Sequence, residues 1–377
     1  MVDAAILERA GQLKGELVKF SQQPRYDRAA SDFFDRYGDG IDELDEQQWM
    51  LLWDCFILEH RLANGRTVVE QFVAGHPRLS ESERDMLLGW QDVVQGPFEV
   101  IRRDGPALIV ESLVDELTYR VRSNMGPGIF RRMPRKSFLI ARLVAVGDEW
   151  MLSGPVSLLR AAERDIAYRL AMDMALRTPE AVFRNPEKLA LAWEQQRADR
   201  DRFIRFFGAD LIVVPGEQVQ DRLNEFYAFS RKELLGRPEP DGPPAGVAVT
   251  LPEDMADSET VALIYDETDG IGFYTEFGLV EQAFANPDLL RRRRWREHAL
   301  EYLHDDSVEP MVIRRLAERN PEKATIVIRR LLKRPKFNWN RDGEDLLREV
   351  KSGYYAQPPR PRVSPVSERL AAFVAQR

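Results

Sequence analysis

The sequence predicts a mainly helical α+β fold. In it, a small five-stranded β-barrel of the SH3-like or OB-like kind sits between helical units, and a β-hairpin precedes a helical C-terminal unit. Three observations carry this. Residues 98–152 alternate apolar and polar positions in short runs, the pattern of half-buried strands. Helix starts recur along the rest of the chain as Asn-Pro-acid triplets, at Asn185-Pro186-Glu187, Asn286-Pro287-Asp288 and Asn320-Pro321-Glu322. In each, Asn caps free backbone N–H groups, Pro sits where no N–H is needed, and the acid meets the positive helix end. The segment Arg237 to Gly246 (RPEPDGPPAG) is rich in proline and glycine, which deny it both ladders and mark a linker.

In chain order, a helical unit covers residues 1–95. Within it Trp49, Trp53, Phe56 and His60 fall on one helical face, which reads as a core helix with His60 packed at its end. Ser80 with Glu83 forms a capping box ahead of a helix over 81–92. The β module, 96–155, holds expected strands at Phe98 to Arg102, Ala107 to Leu113, Leu117 to Arg122, Ser137 to Val146 and Glu149 to Leu152. Asp104-Gly105 and Gly147-Asp148 supply its hairpin turns. A helical unit follows over 156–236, with Leu211 to Val214 as one short strand and helices over 180–184 and 187–207. After the linker, 237–248, the C-terminal unit spans 249–377. It opens with a hairpin of Val261 to Tyr265 and Ile271 to Phe277, followed by helices over 288–303 and 322–333.

At 377 residues the chain is long for one core, so several folding units are expected. An apolar fraction of 44% with 31% charged residues places it with globular chains, away from the disordered class. No window approaches about 18 uninterrupted apolar residues, so no membrane partner is expected. The N-terminus reads as an amphipathic helix, not a signal peptide. One cysteine, Cys55, allows neither a disulfide framework nor a thiolate zinc site within the chain, and a reducing cytoplasm fits that usage.

The net charge of −8 hides an asymmetry. Residues 1–60 hold thirteen acids and six bases, whereas 291–341 hold fifteen bases and seven acids. Charge gathered this way concerns partners, not fold. The bases meet either an external polyanion or the chain's own acidic N-terminal region. Arg291, Arg292, Arg293 and Arg294 open one helix, and Arg329, Arg330 and Lys333 line the polar side of another. Beyond them Lys336, Phe337, Trp339 and Arg341 interleave cations with aromatics, a combination that can stack unpaired bases while neutralising phosphates. The alternative has Phe337 and Trp339 as core plugs and the arginines paired with Glu301, Asp305 and Asp306. A second basic stretch lies in the β module, where Arg120 to Lys136 contains six bases and no acid. There Phe130 and Met133 sit among Arg131, Arg132, Arg135 and Lys136. They form either a recognition loop or, together with Ile129, a docking surface for a neighbouring helical unit whose acids the arginines bridge.

Catalytic signatures are missing. There is no G-x-S-x-G elbow, no phosphate-binding P-loop and no G-x-G-x-x-G after a strand. Asp35, Asp39, Gly40, Glu43 and Glu46 imitate part of a calcium loop, but Tyr37 stands where a ligand oxygen is required. Glu301 and His304 make a single Glu-x-x-His pair, half of what a di-metal helix site needs. No cofactor or metal is expected, and Cys55, taken as buried without a charged neighbour, reads as inert.

Several stretches resemble a group of uncharacterised bacterial proteins whose members often end in a cysteine-rich SEC-C motif. They are Trp53 to Ile57 with Asn64 to Thr67, Leu139 to Glu149, Leu263 to Glu267, and Arg314 to Pro321. The resemblance implies no reaction. The chain departs from the group by ending without cysteines, so the zinc-dependent contacts of such tails are not implied. The expected function is therefore that of a non-catalytic binding or adaptor protein contacting nucleic acid or a ribonucleoprotein. A protein-interaction scaffold and an enzyme of unrecognised type stand as alternatives.

Overall fold

The computed structural model describes residues 2–38, 45–235 and 253–375. The linker expected at 237–248 lies outside them, as do Asp39, Gly40 and Glu43 of the calcium-like pattern. The chain forms two compact units, Met1–Leu189 with Ser364–Arg377, and Ala190–Val363.

The first unit begins with five helices: α1 (Ala4–Ser21), α2 (Asp27–Gly38), α3 (Glu46–Leu58), α4 (Val68–Gly75) and α5 (Glu81–Gly89). Local chemistry starts several of them. Asp45/Gln48, Thr67/Glu70 and Ser80/Glu83 each form a complete capping box. Helix α1 buries Leu7, Ala10, Leu13 and Leu17, one face at helical spacing.

The strands β1 (Val94–Asp104), β2 (Ala107–Ser112), β3 (Thr118–Arg122), β4 (Phe138–Val146) and β5 (Glu149–Leu159) follow. They pair in the order β1-β2-β3-β5-β4, and β4 returns to β1, so the sheet closes on itself. All neighbours are antiparallel except β3 and β5, which run parallel through Val121 to Trp150 and Arg122 to Met151. Strand β5 runs seven residues beyond its expected end. Gly154 (φ +70°) and Pro155, which read as a stop, instead form an irregularity where the register against β4 shifts. Bulges tolerate both residue types.

The sheet interior is filled by Phe98, Val100, Val110, Tyr119 and Leu143 among others. Outward-facing Val144, Val146 and Met151 join the helical core around Phe56, Phe72 and Trp90. A third cluster seats Leu113, Val114 and Phe138 against Ala167, Ala171 and Ala175 of α6 (Arg164–Arg177), near the short α7 (Pro179–Val182). Helix α8 (Pro186–Phe207) then leads out of this unit.

The second unit carries a three-stranded antiparallel sheet in the order β6-β7-β8, built from Leu211–Val214, Val261–Asp266 and Gly270–Thr275. Helix α9 (Val219–Leu235) packs against one side through Leu223 and Phe226. After α10 (Glu253–Ala256) and the hairpin come α11 (Phe277–Ala285), α12 (Arg293–His304), α13 (Pro310–Glu318), α14 (Pro321–Leu332), α15 (Trp339–Val350) and α16 (Ser352–Tyr355). Their shared core includes Val280, Ala299, Val312, Ile328 and Leu347. The helix expected over 288–303 is broken. A 3₁₀ turn covers Pro287–Arg291, and extended Arg292 (ψ 132°) precedes α12. The last helix, α17 (Glu368–Ala375), belongs to the first unit and inserts Leu370 among the α6 cluster. Among the described residues no helix is long and apolar enough to cross a membrane.

Candidate nucleic-acid interface

The β3–β4 connection separates its residues cleanly by type. From Gly126 (φ +83°) a 3₁₀ turn over Pro127–Arg132 points Phe130 inward, and Met133 follows it. Both are buried in the closed sheet's own interior. These two are therefore plugs of that sheet, neither recognition side chains nor a dock for another helical unit, whereas Ile129 is partly buried and faces the cleft that α1 and α3 also line. Between and after them Arg131, Arg132, Arg135 and Lys136 are exposed. Among the described residues none of these four has a side-chain hydrogen bond or ion-pair partner. The connection is nonetheless pinned. Lys136 N–H donates to Val100 O (2.9 Å), Val100 N–H donates to Ser137 O (2.9 Å), and Ser137 Oγ donates to Pro134 O (2.6 Å).

Arg120 and Arg122, part of the same basic stretch in sequence, serve a different purpose. Both reach Glu149 from β3, at 2.9 Å each, and Arg120 also pairs with Asp104. Burial pushes the Glu149 carboxyl up, but the two guanidinium groups outweigh it and hold the carboxyl below its usual range.

The 291–341 surface is largely neutralised within its own unit. Arg291 lies 3.7 Å from Asp288, Arg293 2.6 Å from Glu297, and Arg294 2.9 Å from Glu259, while Arg292 stacks over Trp295. Arg330 pairs with Asp288, Arg341 with Asp342, and Arg329 donates to Phe337 O (2.8 Å). Lys333 and Lys336 are exposed, with no side-chain partner among the described residues. Exposed pairs of this kind contribute only about 0–1 kcal/mol, so they dilute the local positive field more than they lock it. Phe337 and Trp339 require correction as base-stacking residues. Both are buried in the second unit's core, and their faces pack on protein.

A cleft of about 800 Å³ lies beside the basic connection, wholly within the first unit. Helices α1 and α3 form one wall, through Val18, Trp49, Met50 and Trp53. The β3–β4 connection and the β5 bulge form the other, through Met125, Ile129 and Val156. Trp49 is 44% exposed, which corrects its reading as a core residue, whereas Phe56 on the same helix is fully buried. Trp53 donates Nε1–H to Ser21 Oγ (3.0 Å) and stacks on Phe34, which also meets the edge of Trp49. His60 packs against Phe33 and Phe56 as expected.

The cleft floor is polar. Asp54 accepts from Lys14 Nζ (2.6 Å), Ser153 Oγ (2.9 and 3.0 Å) and Arg142 Nε (2.8 Å). Arg142 also meets Glu59, Gln95 and the Cys55 sulfur. Cys55 thus does have a charged neighbour. Burial nevertheless dominates and pushes its thiol up to about 11, so it stays protonated near neutral pH. Burial alone would raise the Asp54 carboxyl, but Lys14 and Arg142 overcome this and hold it below the ordinary range. A carboxylate with a depressed folded-state pKa stabilises above its unfolded value, and that stability is lost as pH falls through the folded one. Urea midpoints should therefore drop as pH falls below about 4, and Asp54→Asn should flatten that dependence. An identical pH dependence in the variant would remove Asp54 from the explanation.

Sequence reading missed this site. The one local signal was an acid, Asp54, set inside the apolar run Met50 to Leu58. Among the described residues no group of three or more His, Cys, Asp or Glu is placed to hold a metal. Glu301 meets His298 instead of His304. Comparison of the chain with family models, curated proteins and solved structures gives no match.

Proposed function

We propose that this is a non-catalytic binding protein that contacts nucleic acid, free or within a ribonucleoprotein, through the β3–β4 connection. The observation that carries the reading is the set of four exposed, unpartnered cations at Arg131, Arg132, Arg135 and Lys136, held on a pinned loop of a closed sheet. Cations without internal partners can neutralise phosphates at little cost in broken pairs, and each phosphate contact releases counterions. The strand order, with β3 beside β5 in parallel, supports an OB-like barrel over an SH3-like one, in which successive strands form a meander. OB-like barrels commonly bind single strands on the face of their second and third strands and at the β1–β2 and β4–β5 loops. The barrel type thus supports the ligand class, while the exposed cations alone select the β3–β4 connection.

A second reading, a protein-interaction scaffold, is favoured by the pairing of Arg291, Arg293 and Arg294 with acids of their own unit. That pairing makes the 291–341 surface the weaker polyanion candidate.

Fluorescence anisotropy with labelled single-stranded RNA, titrated across salt, separates the two. Replacing Arg131, Arg132, Arg135 and Lys136 together with Ala should weaken binding about tenfold or more at moderate salt. It should also reduce the logarithmic salt slope by about 3, since each single-strand phosphate contact contributes roughly 0.7. Unchanged affinity and slope would eliminate this loop. An absence of binding by the wild-type protein at low salt would leave the scaffold reading.

A further inference from the structure

We infer that the cleft between α1, α3 and β5 takes an unstacked base of a single-stranded nucleic acid, whose flanking phosphates lie on the basic β3–β4 connection. The inference rests on the proposed nucleic-acid reading and deepens it.

Three observations meet at the cleft. One connection supplies both surfaces: Ser123, Asn124, Met125 and Ile129 line the cleft, and Arg131, Arg132, Arg135 and Lys136 follow in the same connection. None of the four cations lines the cleft itself, but all four follow Ile129 in the same connection and are uncommitted, the charge complement of a phosphodiester chain running out of the cleft. Next, the α3 wall presents an aromatic ring held in place from behind. Trp49 is 44% exposed, while the edge contact with Phe34 and the adjacent Phe34–Trp53 stack fix its setting. A ring half open to solvent yet backed by other rings is a ready stacking platform, and stacking accepts any base. Met125, 75% exposed across the cleft, is a flexible apolar side chain able to close over the second face.

The third observation is the polar floor. A purely apolar groove would suit an apolar peptide anchor, but this one ends on Lys14, Asp54 and Ser153, with Gln22, Gln47 and Asn124 also lining it. One of the three Lys14 ammonium hydrogens is directed at Asp54, and Lys14 lines the cleft. Its remaining donors and the side-chain amides can meet the donor and acceptor groups on a base edge, which an aliphatic or aromatic side chain lacks. The volume, about 800 Å³, lies within the ordinary range for small-ligand sites.

The test compares two single-stranded DNA oligonucleotides of equal length, one with bases throughout and one carrying a central run of abasic sites. Both offer the same phosphates. The wild-type protein should bind the complete strand about tenfold more tightly, the range expected of one stacked base. Trp49→Ala should erase that preference while leaving abasic-strand affinity and its salt slope unchanged. Equal wild-type affinity for both strands would overturn the cleft assignment and leave the phosphate-binding reading intact. A preference that survives Trp49→Ala and also Asn124→Ala would likewise overturn it, placing the base elsewhere. If the wild-type protein binds neither strand at low salt, both readings fall together. Trp49 is a partly exposed side chain, and retention of the wild-type urea midpoint by Trp49→Ala confirms that the comparison is between folded proteins.

Discussion

Arg142→Ala is expected to lower the stability of the unit containing the closed sheet by about 3–5 kcal/mol. Arg142 is 1% exposed, and from β4 it reaches Asp54 and Glu59 of α3, Gln95 of β1 and the Cys55 sulfur. Truncation leaves the Asp54 carboxylate buried with Lys14 and Ser153 alone, and deprives Glu59 of its guanidinium partner. The penalty comes from the uncompensated charge more than from the lost attraction. For the same reason the double variant Arg142→Met with Asp54→Leu should be less damaged than the sum of its single changes. Urea denaturation followed by tryptophan fluorescence measures both, and a single-variant loss under about 1 kcal/mol would show that water reaches the network.

Trp90→Ala should cost a similar amount, about 3–5 kcal/mol, by a different route. The Trp90 side chain is fully buried among Leu13, Leu87 and the outward residues of β4, so its removal opens a cavity. Its Nε1–H donates to Ala145 O (2.9 Å), and Lys14 Nζ lies 5.6 Å from its ring centroid. Trp90→Phe keeps much of the volume but gives up the hydrogen bond, and should lose about 1–3 kcal/mol. Equal losses in the two variants would assign the effect to the hydrogen bond instead of packing.

What could be read in the sequence was what short-range chemistry decides. The Asn320 cap and the Ser80/Glu83 box each act within three residues, and both helices begin where those residues place them. The strands showed through period-two alternation, yet β5 was cut short because Gly154 and Pro155 have the same composition whether they end a strand or bulge it. Which face of a helix meets solvent was harder to read. Trp49 and Phe56 look alike on a helical wheel, but one is 44% exposed and the other buried, depending on what packs above them. Phe337 and Trp339 likewise advertised stacking until the core claimed them. The Asp54–Arg142 contact joins residues 88 positions apart, and no local pattern announces such a partner.

The first unit comprises Met1–Leu189 and Ser364–Arg377, so all of Ala190–Val363 is synthesised between its two parts. Until the ribosome reaches Leu370, the apolar seat formed by Leu113, Val114, Phe138 and the alanines of α6 stays open. The nascent first unit therefore waits, its last surface uncovered, through the translation of some 170 residues, on the order of ten to thirty seconds at ordinary elongation rates. Over that interval the Leu370 seat is uncovered apolar surface, and α17 acts as the closing piece that ends the exposure.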